Sequence, residues 1–122
     1  MSETSWAWAV RAAAIVPLLA GGAGALSGLG FMGENISPAI DSHGRYLSGL
    51  LLGIGLATLW CAQAPRGRAE HFFIIAAIVA LGGCFRALGW VLVGPPPGPH
   101  QLALIMELGV VPLLALWLAR LR

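Results

Sequence analysis

The chain has 122 residues, of which 58% are hydrophobic and 10% charged, with a mean hydropathy of +0.84 and a formal net charge of +2. So much apolar side chain cannot be hidden inside a water-soluble core of this size. The composition excludes a soluble globular domain and predicts an all-α integral membrane protein, a single domain over residues 1–122 with four transmembrane helices and no nucleic-acid partner.

Trp6 and Trp8 stand where interfacial aromatic anchors belong, ahead of a first helix expected over residues 8–31. This segment does not read as a cleavable signal, because no positive residue precedes Trp6 and the apolar run continues to Phe31. It carries Pro17 and small residues at Ala20, Gly24 and Gly28, a spacing that lets a neighbouring helix approach closely. A second helix over 38–63 opens with Ser37 as N-cap and Pro38 at the first helical position. Along it Asp41, Arg45, Gly49 and Gly53 share one face. The acid four residues before the base suits an intrahelical ion pair.

A third helix over 70–93 stops at "GPPPGP", which forbids helix and favours a stiff extended connection. The fourth, over 100–120, contains Pro112, which leaves the carbonyl of Leu108 without its usual helical donor. Cys61 and Cys84 form no CxxC pair and read as small apolar fillers.

All seven basic residues are arginine. Arg11, Arg66, Arg68, Arg120 and Arg122 fall on one side of a four-span topology, which the positive-inside rule makes cytoplasmic, with both termini inside. The loops "MGENISPAIDSHG" and "GPPPGPH" carry no arginine and face outward.

The remaining arginines lie within the spans. At a rise of ~1.5 Å per residue, Arg86 before Val93, Glu107 after His100 and Arg45 after Pro38 all sit roughly 10 Å below the outer helix ends. Asp41 and His43 lie about a turn above, and His100 and Glu34 edge the same face. Charges at this depth cost at least about 2.5–3.5 kcal/mol each when unpaired. Mutual neutralisation is expected, Arg86 with Glu107 and Arg45 with Asp41; in the alternative, Arg45 shares Glu107 with Arg86 and one net positive charge remains. One reading makes these satisfied pairs that only fix helix register. The other makes them a polar pocket in which planar arginine forks hold a carboxylate or phosphate.

His43 and His100 read as interfacial polar groups in preference to axial haem ligands, so no cofactor and no metal are expected. Trp60, Trp90 and Trp117, near helix ends, read as belt residues. No Walker loop, GxSxG elbow, HExxH or Rossmann fingerprint occurs.

The stretches "GRYLSGLLLGIGL", "LGGCFRALGWVLVGPPP" and "LIMELGVVPLLALW" resemble the motifs of an uncharacterised domain-of-unknown-function family of small bacterial four-helix membrane proteins, loosely similar to DoxX proteins. The matching residues are Arg45, Gly49, Gly53, Gly82, Gly83, Arg86, Gly94, Pro95, Pro96 and Glu107. The resemblance implies the four-helix architecture and a bacterial inner-membrane location, and it implies no activity.

Three functional readings stand beside one another. In the first, Arg45 and Arg86, with Asp41, His43, His100 and Glu107 around them, bind or carry an amphipathic anion such as a membrane lipid or other lipophilic small molecule. In the second, Glu107 or Asp41 is the acid or base of an integral-membrane isomerase, cyclase or epoxide hydrolase, with Arg86 stabilising developing negative charge. In the third, the chain is an accessory subunit whose charges are structural. Glycine and alanine faces also leave homo-oligomerisation open.

Overall fold

The computed structural model describes residues 2–28 and 36–122. Glu34, expected at the edge of the charged layer, lies outside the described residues. The described chain is all-helical, with α1 over Glu3–Ser27, α2 over Pro38–Ala62, α3 over Ala69–Val93, and a fourth rod made of α4 (Gly98–Ile105), a π-helical turn (Met106–Val110) and α5 (Val111–Leu121). Four rods are long and apolar enough to cross a membrane, the pattern of a multi-pass membrane protein.

α1 begins five residues before the sequence boundary. The hydroxyl of Ser2 accepts a hydrogen bond from the backbone N–H of Ser5 at 3.1 Å, and Glu3 places negative charge in the first turn, so a complete N-terminal signal precedes Trp6. Trp6 and Trp8 are therefore helical, and their roles diverge. Trp6 is fully buried, its ring edge-on to Phe72 at 4.9 Å and its indole N–H donating to the carbonyl of Leu114 at 2.8 Å. Trp8 stays exposed, with the Arg11 guanidinium over its ring.

Around Trp6 the described core gathers Val10, Cys61, Phe72, Leu114 and Leu118, drawn from all four rods. Outside it, Arg66 pairs with Glu3 and also donates to the carbonyl of Leu121, while Arg122 pairs with Glu70 at 2.7 Å. Both ends of the chain and the α2–α3 turn thus meet at one end of the bundle. Cys61 fills this core as expected of a small apolar residue, whereas Cys84 is exposed.

α1 and α2 pack along most of their length. The buried positions of α1 run through Ala7, Val10, Ala14, Gly21 and Gly24, spacings of three, four and seven that form one seam. The closest approach is at Gly21, not Ala20: a Cβ there would lie 2.5 Å from the backbone nitrogen of Leu52. Gly28, at φ +78°, ends α1 in a backbone conformation suited to glycine, with the Asp41 carboxylate where a Cβ would stand.

The fourth rod answers Pro112 with a change of pitch. Proline cannot donate a backbone hydrogen bond, and the turn just before it widens so that the Val111 N–H reaches back to the carbonyl of Met106. Glu107 lies within this π turn. Such turns are rare and frequently occur at functional sites.

Candidate functional site

The polar groups expected to form one layer separate into two clusters. In the first, Arg45 on α2 donates from Nε to Asp41 Oδ2 at 2.8 Å and from Nη1 to the carbonyls of Ala25 at 3.1 Å and Leu26 at 2.9 Å. These two carbonyls belong to the last turn of α1, where helical partners run out and the helix dipole is negative. Arg45 is thus a cap that fastens the end of α1 to the start of α2. The sequence indicated its pairing with Asp41; the α1 carbonyls carry no sequence signal, because any residue supplies them.

In the second cluster Gly83 lets the fourth rod come close to α3. A Cβ at Gly83 would fall 2.8 Å from Cβ of Glu107. One turn further on, Arg86 grips the Glu107 carboxylate with two parallel bonds, Nε to Oε2 at 3.0 Å and Nη2 to Oε1 at 3.1 Å. The Arg86–Glu107 pairing expected from matched depth is present, and Arg45 bonds Asp41 and the end of α1 where the alternative had it share this carboxylate.

His100 completes the second cluster, its Nδ1 lying 2.8 Å from Arg86 Nη1. Guanidinium nitrogens only donate, so Nδ1 is the acceptor in this contact. The sequence placed His100 on the same face as Arg86 without giving this bond.

Donor accounting shows what the second cluster can still do. Of the five N–H bonds of Arg86, three are engaged in the bonds to Glu107 and His100, leaving two without a partner among the described residues. The Arg86 side chain is 32% exposed and that of Glu107 17%. Glu107 is the more enclosed and holds the guanidinium from one side; the other side is accessible. Gly82 and Gly89, on the same face of α3 as Arg86, have open space where a Cβ would project.

His43 is exposed and joins neither cluster. Among the described residues no group of three histidine, cysteine, aspartate or glutamate side chains is placed to hold a metal ion. Near the termini, Trp60 is a platform for the Arg68 guanidinium, 4.0 Å above its ring, and Trp117 lies partly within the protein, its indole N–H buried without an acceptor among the described residues.

A family model described as "Domain of unknown function (DUF4345)" matches residues 6–118, and the chain belongs to that family. Comparison with curated proteins and with solved structures found no match.

Proposed function

We propose that this DUF4345 protein resides in the bacterial inner membrane with both termini cytoplasmic, and that it binds or carries an amphipathic anion at Arg86. The observation that carries this reading is the half-used guanidinium: two N–H bonds of an accessible arginine remain after Glu107 and His100 have fixed its plane. A carboxylate or phosphate oxygen is the natural acceptor for such donors. The open surface at Gly82 and Gly89 leaves room for a hydrocarbon tail beside the head group. Glu107 orients the arginine, His100 lines the site, and Arg45, Asp41 and His43 lie outside the immediate contact.

Acid/base catalysis is the less favoured chemistry. Glu107 commits both oxygens to Arg86, and Asp41 is paired through Oδ2 with Arg45, so each carboxylate already neutralises an arginine.

Native mass spectrometry of the detergent-purified chain with added dodecyl phosphate tests the binding reading. Wild type is expected to retain the anion, and Arg86→Gln to hold it roughly 10–100-fold more weakly. Equal retention by both would reject it.

A further inference from the structure

A groove between α3 and α5, lined by none of the residues of the Arg86 cluster, is the second site. We infer that it holds one acyl chain of an anionic phospholipid whose head group sits on the terminal arginines. The inference rests on the membrane reading above but not on the Arg86 site.

The groove is an open depression of about 530 Å³ on the surface, lined by Phe73, Leu116 and Pro112 and by alanines of both helices. At Leu116 it adjoins a hollow of about 280 Å³ that Arg120 lines. The Arg122 guanidinium lies 5.4 Å from the centre of the Phe73 ring, so a second cation stands beside the same end. Arg122 is neutralised by Glu70, whereas Arg120 is exposed with no ion-pair partner among the described residues. An apolar trough with an uncompensated cation at one end matches a lipid with a negative head and a hydrocarbon tail.

The dimensions agree. From Pro112 to Arg120 is eight residues of helix, ~12 Å at the helical rise, close to half of a hydrocarbon core about 30 Å thick. The trough therefore has the length of one leaflet, and its arginines lie on the side where the positive-inside rule places anionic cytoplasmic lipid. The hollow beside Arg120 is also lined by Trp117.

A second copy of the chain fits less well. Closed two-fold symmetry along the groove, with parallel helices, would bring the two Arg120 side chains together, and like charges face to face oppose association.

The test is competitive native mass spectrometry of the full chain with phosphatidylglycerol and phosphatidylcholine carrying identical acyl chains. Wild type should retain the anionic lipid in preference. Arg120→Gln should reduce that preference roughly fivefold, and Ala80→Leu with Ala119→Leu should lower retention of both lipids by filling the trough. In an Arg86→Gln background Arg120→Gln should still bring the same fivefold loss of preference, which separates this site from the one above. If wild type shows no preference between the lipids, or Arg120→Gln leaves the preference intact, the inference is overturned. Trough-filling variants that abolish a dimer without changing lipid retention would overturn it in favour of a second copy. The Arg120→Gln arm decides the matter even where the filled variants fail to fold.

Discussion

At the end of the bundle where both termini meet, the buried residues are Trp6, Phe72, Leu118, Val10 and Cys61 with small apolar neighbours. Towards the opposite end the buried positions are almost all glycine, at Gly21, Gly24, Gly44 and Gly83, with Ser48 as the polar exception, and neither α4 nor the π turn buries any residue. The first end is held by side-chain volume and apolar burial. The second is held by backbone contact and by two arginine forks. A packed apolar core leaves nothing for a ligand to bond, whereas arginine forks on carboxylates and carbonyls leave donors over. Stability and chemistry are therefore segregated along the length of the molecule.

The largest expected effect attacks the packed end. Trp6→Ala removes the largest fully buried side chain and its bond to Leu114, and should cost about 3–5 kcal/mol in SDS-titration unfolding followed by circular dichroism. A loss no larger than that of a surface substitution would erase the contrast between the ends.

Next comes Gly83→Val, which drives a side chain into Glu107 and Leu108. It should destabilise by about 1–3 kcal/mol and also weaken dodecyl phosphate binding, because Arg86 loses its orienting partner. Unchanged binding would detach the glycine contact from the site.

Arg45→Gln should cost only about 1 kcal/mol through the lost cap on α1, with anion binding unchanged in the same native mass spectra. A binding defect equal to that of Arg86→Gln would merge the two clusters. Smallest is Arg66→Gln, where loss of an exposed pair with Glu3 should cost about 0.2–1 kcal/mol, falling further in high salt.

Particular residues show how far the sequence could be read. The four rods follow from hydropathy alone, and the Arg86–Glu107 pair follows from counting helical rises from "GPPP" in both directions. Trp6 shows the limit: tryptophan near a terminus serves equally as interfacial anchor or core, and only its distant partners Phe72 and Leu114 decide. Ala20 and Gly21 are both small, so composition could not say which one touches α2; the helical phase, set by packing, does. Pro112 announces a disturbance, but its resolution as a π turn carrying Glu107 depends on how the α3 contact at Gly83 draws that segment in.

The measurement that most directly separates a rivet from a working site uses Arg86→Met combined with Glu107→Met. Replacing both partners of a buried pair with apolar residues typically leaves stability near wild type, while removing one strands the other. The double variant should unfold within about 1 kcal/mol of wild type yet, in an Arg120→Gln background that removes the second anion site, no longer retain dodecyl phosphate in native mass spectrometry. A stable double variant that retains the anion as the Arg120→Gln protein does would contradict the Arg86 site.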